Sequence, residues 1–162
     1  MKVNKSIEQG IYVLLMLSLQ INHEPVKSFT MSKILDVSDS YLKKILRKLV
    51  VAGLINSNAS KDGGFTLAKS LRNVTVLEVF KALDKENIEQ FNSELSRRIF
   101  EDEEHIKSSE QKLINVFQLG IDSYFSHLDS LRLSELIKEE YIDAGYYDWQ
   151  AKVEYPDKQV EI

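Results

Sequence analysis

The sequence predicts a mainly α protein, in which a winged helix-turn-helix domain with a two-stranded β wing is followed by a long dimerisation helix. Residues 30–53 show two short helical patterns around a tight turn, and residues 54–68 show two strand patterns around a glycine-bearing loop. An apolar stripe at helical spacing runs along the second half of the chain. The 162 residues include only two prolines and six glycines, which also favours helices.

A first amphipathic helix is expected near the N-terminus. Its apolar segment, residues 11–19, is shorter than the ~20 residues that span a bilayer. It is not followed by a cleavage site of small residues, so we expect neither a membrane segment nor a signal peptide, and a cytoplasmic protein. The packing side of this helix is expected to consist of Ile7, Ile11, Leu14, Leu15 and Ser18.

The first helix of the helix-turn-helix is expected to begin at Thr30, whose side-chain oxygen can cap an unpaired amide. It carries Ile34 and Leu35 and leads into a three-residue turn, residues 36–38. Val37 is the only apolar residue of that turn, and we expect it to be the buried pivot between the two helices.

The second helix is expected to be capped by Ser38 or Asp39 and to stop at Gly53, which can adopt the left-handed conformation that ends helices. One face is apolar and the opposite face is basic, as expected for a helix with one side buried. The apolar face comprises Leu42, Ile45, Leu46, Leu49 and Val50, and the polar face comprises Ser40, Lys43, Lys44, Arg47 and Lys48.

Residues 54–57 and 65–67 have strand character, and residues 58–64 form the expected hairpin loop, with Gly63 and Gly64 relieving backbone strain. A short helix follows within residues 74–83. Thr75 and Glu78 have the spacing of a capping box at its start. Residues 1–83 are therefore expected to form the winged helix-turn-helix domain.

Residues 84–107 are expected to connect this domain to the next helix. Phe91, Leu95, Ile99 and Phe100 recur at helical spacing, so part of the segment can be helical. Residues 101–105 place four acids before a histidine, but consecutive residues do not share a helix face. A solvated acidic turn is therefore favoured over a metal site.

Residues 108–142 are expected to form the dimerisation helix and its extension, with a kink near residues 129–130. Gly120 would let two backbones approach closely, and packing within one chain is the alternative to dimerisation. The predicted dimerisation stripe comprises Leu113, Val116, Phe117, Gly120, Ile121, Tyr124 and Leu128, and Leu131, Leu133, Leu136 and Ile137 extend its pattern. Residues 143–162 form an acidic aromatic tail, which can be either docked or disordered.

Charge divides the chain into two unequal halves. Residues 1–80 contain 11 Lys or Arg against 6 Asp or Glu, whereas the remainder contains 10 against 19. Binding to phosphates requires local positive potential, so an overall charge of −4 is compatible with DNA binding. The absence of cysteine excludes disulfides and thiolate metal sites.

These motifs resemble those of the Rrf2 family of bacterial winged helix-turn-helix transcription regulators, over residues 1–138. The resemblance implies a homodimer that binds a palindromic operator in double-stranded DNA, usually as a repressor. It rests on Ser38-x-Ser40-Tyr41-Leu42, Leu46-x-x-Leu49, Ala52-Gly53-Leu54-Ile55, Gly63-Gly64-Phe65-x-Leu67-Ala68 and Leu131-x-Leu133-Ser134-Glu135-Leu136.

The resemblance implies which residues contact DNA, position by position along the matching motif. Ser38, Ser40 and Lys43 are candidates for the major groove, Tyr41 and Lys44 for phosphates, and Arg47 for either. The wing has Ala59-Ser60 where the family often has an Arg-Gly pair, and Lys61 can replace the arginine only electrostatically. The three cysteines that hold an iron–sulfur cluster in many members are absent, so no cofactor is expected.

Two other functions are alternatives to DNA binding: a protein-docking module and an enzyme. The altered wing is compatible with a winged domain that docks onto proteins and has lost DNA binding. An enzyme is not expected, because His23, His105 and His127 are isolated and no phosphate-binding glycine loop is present. The sequence does not identify an effector, which can be a small molecule or a protein. An apolar pocket for such a ligand is conceivable between the 76–83 helix and residues 91–100.

Overall fold

The computed structural model describes residues 4–60, 63–84 and 93–155. The chain divides into two compact units: the first comprises Met1–Lys85 and Asp129–Ile162, and the second comprises Glu86–Leu128. The described helices are α1 Lys5–Leu19, α2 Ser28–Ile34, α3 Asp39–Val51, α4 Val76–Leu83, α5 Ser93–Ser96, α6 Glu103–Ser130 and α7 Trp149–Glu154, and the strands are β1 Ile55–Ser57 and β2 Phe65–Leu67.

Helix α1 is the centre of the first unit and packs against α3, α4 and β2. It begins at Asn4, whose Oδ1 accepts a hydrogen bond from the Ser6 amide at 3.1 Å. Its long apolar segment leaves Val13 and Leu14 with no exposed surface. Four residues of the predicted packing side are buried and Ile11 is half-buried, so the predicted face is confirmed.

Helix α2 begins two residues before the predicted start, and Thr30 does not cap it. Thr30 lies inside the helix with 1% of its surface exposed, and its hydroxyl donates to Oε1 of Gln150 at 2.7 Å. The cap prediction is wrong because the helix starts before Thr30, and the Thr30 hydroxyl bonds to a residue 120 positions away and not to the start of the helix. The turn after α2 places Asp36 at a φ of 50° and leaves Val37 half-buried.

Both predicted ends of α3 are confirmed. Ser38 caps the start, where its Oγ accepts from the amide of Tyr41 at 3.3 Å. At the other end Gly53 has a φ of 69° and donates to the carbonyl of Val50, while Leu54 donates to Leu49, both at 3.0 Å. These two hydrogen bonds form the Schellman motif, which satisfies the last carbonyls of a helix.

Strands β1 and β2 are antiparallel, with Ile55 opposite Leu67 and Ser57 opposite Phe65. Val26 forms an isolated antiparallel bridge with Phe65 of β2, in which the two residues exchange backbone hydrogen bonds at 2.9 and 3.0 Å. A side chain at Gly64 would meet the Val26 carbonyl oxygen at 2.7 Å. A side chain at Gly63 would meet a backbone oxygen at 2.1 Å. Both glycines are thus required because the backbone of another segment approaches them too closely for a side chain.

The capping box of α4 is confirmed, since Thr75 and Glu78 each accept a hydrogen bond from the other's backbone amide. The chain returns beside this helix after α6. Leu133 donates its amide to Val74 at 2.9 Å and is fully buried. Residues 131–137 therefore do not continue the long helix as expected: they form an extended segment and a 3₁₀ turn, Leu133–Leu136.

The described part of the C-terminal tail is docked on the first unit. Trp149 is 6% exposed, and its indole N–H donates to the carbonyl oxygen of Met16 at 2.8 Å. Of the two alternatives left open by the sequence, docking therefore applies to residues 143–155. Residues 156–162 lie outside the described part of the chain.

The second unit contains α5 and most of α6. Asp102 begins α6 by accepting from the amides of Glu104 and His105, so the acidic run serves as a helix start. Across residues 4–60, 63–84 and 93–155, no group of three or more His, Cys, Asp or Glu side chains is placed to hold a metal ion. Phe91 of the expected helical pattern lies among the residues that the structure leaves undescribed.

The predicted stripe of α6 is divided by exposure. Leu113, Val116, Phe117 and Gly120 are exposed, whereas Ile121, Tyr124 and Leu128 are half-buried. An added side-chain carbon at Gly120 would have no neighbour within 4 Å. Leu119, which lies beside the stripe, is also 69% exposed.

Within the described ranges, no helix is long and apolar enough to cross a bilayer.

Candidate nucleic-acid interface

The exposed face of α3 is cationic. Leu42, Ile45, Leu46 and Leu49 are at most 2% exposed, so packing fixes the rotation of the helix about its axis. The opposite face must then point to solvent. Its exposed residues are Ser40, Lys43, Lys44, Arg47 and Lys48, the set that the sequence pattern placed there.

The four cations of this face differ in how strongly the fold engages them. Lys43 pairs with Oδ2 of Asp39 at 2.7 Å, and the Lys48 ammonium donates to the Leu83 carbonyl at 3.0 Å, at the end of α4. Lys44 and Arg47 make no ion pair with any residue that the structure describes. Lys44 and Arg47 are therefore the cations of α3 that are available for an anion without first breaking a contact.

Asp39 places a negative charge beside this cationic face. The hydrogen bond from Lys43 holds the pKa of the Asp39 carboxyl below its ordinary value, and the nearby Ser28 hydroxyl acts in the same direction. The carboxyl is therefore ionised at neutral pH, and it offsets much of the charge of Lys43. The sequence did not single out this residue as part of the site, although its spacing of four residues from Lys43 is that of a helical ion pair.

The start of α3 presents three polar side chains to solvent. The Ser38 hydroxyl oxygen accepts from the helix backbone and lies 3.5 Å from the Ser40 hydroxyl. Because this oxygen serves as an acceptor in the cap, the hydroxyl proton is still available for donation. The Tyr41 side chain is partly exposed, one turn from Ser38.

The described part of the wing tip, up to Ser60, contributes polar but uncharged groups. Oδ1 of Asn58 accepts from the Ser60 amide at 3.1 Å, which shapes the loop. Ala59 and Ser60 are exposed, and neither can form the planar, bidentate contacts of an arginine. Lys61, the remaining predicted contact, lies outside the described residues.

Helix α2 adds an exposed pair that sequence reasoning missed. The Lys33 ammonium lies 5.3 Å from the centre of the Phe29 ring, and Phe29 is 56% exposed. The two residues are four positions apart on one helix face, which is the signal that could have identified them. Their position on the first helix of the helix-turn-helix adds positive charge beside α3.

The net charge of the folded unit differs from that of the first 80 residues. Residues 1–85 and 129–162 together carry 17 Lys or Arg and 16 Asp or Glu, because this unit includes the acidic C-terminal part of the chain. Some of its cations are also paired: Arg72 binds the carboxylates of Glu139 and Asp143, and Lys69 binds Glu78. Positive potential is therefore a local property of α2 and α3, not of the whole unit.

A comparison with protein families matches residues 3–139 to the family described as Rrf2, iron-dependent transcriptional regulator. The chain is also 34% identical over 160 residues to YwgB of Bacillus subtilis (strain 168), which is named as an HTH-type transcriptional regulator. That alignment covers 94% of this chain and 96% of YwgB.

Solved structures with similar folds point to the same architecture. T. potens IscR superposes with a TM-score of 0.60 at 21% identity, covering 86% of this chain and 88% of IscR. The oxidized form of Staphylococcus aureus CymR gives 0.59 at 20% identity, covering 89% of this chain and all of CymR. At these identities the similarity establishes the winged-helix fold.

Proposed function

Because this chain belongs to the Rrf2 family of transcriptional regulators, we propose that it binds double-stranded DNA as a homodimer, reads a palindromic operator and represses transcription there. The observation that carries the proposal is the exposed cationic face of α3, with Lys44 and Arg47 free of carboxylate partners within the described part of the chain. The family and the relatives named above are regulators, not enzymes.

In the proposed complex, α3 enters the major groove by its N-terminal end. Ser38, Ser40 and Lys43 would contact base edges, while Tyr41 and Lys44 would contact phosphates. Arg47 lies one turn further along, where it can reach either a phosphate or a guanine. Lys43 must leave Asp39 to reach a base, so its contribution is reduced by the loss of that ion pair.

A second copy of the chain completes the proposed binding unit. The exposed apolar part of the α6 stripe, Leu113, Val116 and Phe117 around Gly120, is a surface that a partner helix can cover. Two α3 helices spaced ~34 Å apart would then read two half-sites one turn of DNA apart. The half-buried residues Ile121, Tyr124 and Leu128 would contribute less to such an interface.

The iron in the family description does not fit this chain. An iron–sulfur cluster is held by thiolates, and the sequence contains no cysteine. No cluster of alternative ligands occurs in the ranges that the structure describes either. The proposed regulation of DNA binding therefore involves no iron–sulfur cluster held by this chain's own thiolates.

Selection of bound sequences from random duplex DNA tests the proposed function directly. We expect an inverted repeat with half-sites separated by about one helical turn, ~10 base pairs. Binding should weaken steeply as salt increases, since phosphate contacts release counterions. Enrichment of no sequence, with no retention on nonspecific DNA at low salt, would instead identify a protein-docking module.

Replacing Asp39 by asparagine should strengthen DNA binding. The change removes a negative charge from the DNA-facing side and releases Lys43 from its ion pair. On DNA without an operator, the released Lys43 ammonium can bind a phosphate instead of a base, so we expect nonspecific affinity to rise about fivefold at ~0.1 M salt. The salt dependence should be steeper by about one phosphate contact per protomer. Fluorescence anisotropy with a labelled duplex of scrambled sequence measures both quantities.

Asp36→Asn is the matched control for this prediction. It removes the same charge three residues earlier, and asparagine tolerates the positive φ of that position. Asp36 makes no ion pair with Lys43, so only the general charge effect should appear. Equal gains from the two variants would show that release of Lys43 contributes nothing.

A further inference from the structure

The C-terminal strap, residues 142–155, lies beyond residue 139, where the match to the family ends. We propose that this strap positions the helix-turn-helix: it holds α2 against the end of α1, and thereby keeps α3 in the orientation that DNA binding requires. The inference rests on the proposed function. It gives the strap an indirect role in DNA binding, since the strap positions α3 and is not itself proposed to contact DNA.

The strap is bonded to the chain that joins α1 to α2. The amides of Ile21 and Asn22 donate to the carbonyls of Tyr147 and Ala144, each at 2.9 Å, and the amide of Tyr147 donates to Leu19 at 2.8 Å. Asn22 and His23 both have a φ of 52°, a left-handed conformation that asparagine tolerates but that costs about 1–2 kcal/mol for most other residues, His23 among them. The hydrogen bonds from the strap hold this unfavourable turn in place.

Trp149 anchors the strap in the core of the unit. Besides its bond to Met16, its backbone amide donates to the side chain of Gln20 at 3.2 Å, and Gln20 is itself 5% exposed. Tyr147 stacks on the indole with ring centres 4.7 Å apart. Burial of a tryptophan with its N–H satisfied is a strong attachment for a short segment.

The same segment contacts the helix-turn-helix itself. Helix α7 packs on α2, and the buried hydroxyl of Thr30 donates to the Gln150 side chain. Helix α2 in turn packs on α3. The turn between them is tied to α2 by the amide of Val37, which donates to the carbonyl of Ser32 at 3.0 Å. A displacement of α7 is therefore transmitted through α2 to the base of α3.

Gly145 provides a way to release the strap without removing it. Its φ is 71°, and an added side-chain carbon would lie 2.0 Å from the carbonyl oxygen of Gln20. Alanine at this position must push the strap away from the end of α1. Because Trp149 is the only tryptophan in the sequence, intrinsic fluorescence reports on the docking of the strap alone.

The test uses the full-length chain and the operator found by selection. Gly145→Ala is compared with the wild type and with Ala144→Ser, a control at the exposed neighbouring side chain. Thr30→Val is a second test variant, which removes the hydrogen bond to Gln150 with little change in volume. Each protein is examined by far-ultraviolet circular dichroism, Trp149 emission and titration with operator DNA.

For Gly145→Ala we expect unchanged helix content, a red-shifted Trp149 emission and operator affinity at least about tenfold lower, a loss equal to ~1.4 kcal/mol. Thr30→Val should lose about fivefold, the equivalent of one ordinary hydrogen bond. Because coupling is reciprocal, operator DNA should shift the emission of Gly145→Ala back toward the blue. A purely structural strap would not respond to DNA in this way.

The outcomes separate the two proposals. A folded Gly145→Ala variant with red-shifted emission and wild-type operator affinity overturns the positioning role and leaves the proposed function standing. If Gly145→Ala loses its helix content, Thr30→Val decides by the same criterion. Failure of the wild type to bind any duplex would refute the proposed function, and the positioning role together with it.

Discussion

Replacing Lys44 and Arg47 together by alanine is expected to lower the affinity for operator DNA about 1000-fold at ~0.1 M salt. Both side chains are exposed and have no carboxylate partner in the described ranges, so nothing in the free protein offsets their attraction to phosphates. A charge-assisted hydrogen bond contributes roughly 1.5 kcal/mol, and a dimer loses four of them, which corresponds to at least this factor. Anisotropy titrations against labelled operator at several salt concentrations provide the measurement.

The salt dependence identifies the cause of the loss. The dimer loses two phosphate contacts from Lys44, and two more if Arg47 binds a phosphate and not a guanine, so the slope of log affinity against log salt should decrease by about 2 to 4. The control Lys5→Ala/Lys107→Ala removes the same charge from the starts of α1 and α6, and its affinity should change less than about threefold. If the control weakened binding as strongly as the α3 variant, net charge would explain the effect and α3 would not be the DNA-contacting element.

Introducing carboxylates into the exposed stripe of α6, as Leu113→Glu/Val116→Glu, is expected to separate the proposed dimer and weaken operator binding about 100-fold or more. These side chains are 49% and 68% exposed in the protomer, so the substitutions should leave its own fold intact. In a dimer they would bury charges without partners, which costs several kcal/mol. Loss of the second half-site then removes the gain of about 10²–10⁴ that two linked binding events provide.

Sedimentation equilibrium gives the association state, and titration with full-length and half-site duplexes gives the consequence for DNA binding. Asn115→Glu/Gln118→Glu places the same charges on the opposite side of α6, where both residues are exposed, and should keep the dimer. The half-site affinity of the Leu113→Glu/Val116→Glu variant should equal that of the wild type. A wild-type chain that sediments as a monomer at the concentrations that bind operator would exclude this assembly.

The local structure of the DNA-binding unit could be predicted in detail. Ser38, the Thr75–Glu78 pair and Gly53 each act within three or four residues along the chain, so the motif itself contains both partners. The same holds for the exposed side of α3, because a period of 3.6 residues determines which side chains share a face. The sequence pattern alone therefore identifies the cationic residues of α3 as a set.

The periodicity does not show which of those residues are already engaged by other groups of the folded chain. Lys43, Lys44, Arg47 and Lys48 look equivalent in the pattern, yet Lys48 is tied to the end of another helix 35 positions away. Phe29 and Lys33 were missed because an aromatic residue in a short helix is more often buried than exposed. Whether a given side chain is bonded, buried or exposed depends on its neighbours in space, which are known only from the packed structure.

By itself, the sequence determined the helix-turn-helix, the caps of α3 and α4, the wing hairpin and the cationic face of α3, because these features arise from backbone hydrogen bonds and side-chain periods over a few residues. Tertiary structure alone decided the partner of Thr30, the docking of Trp149 and the near-neutral charge of the folded unit. The first two of these features join residues that are more than 100 positions apart in the sequence. Such pairs are selected by the packing of the whole core, for which a single sequence carries no local signal.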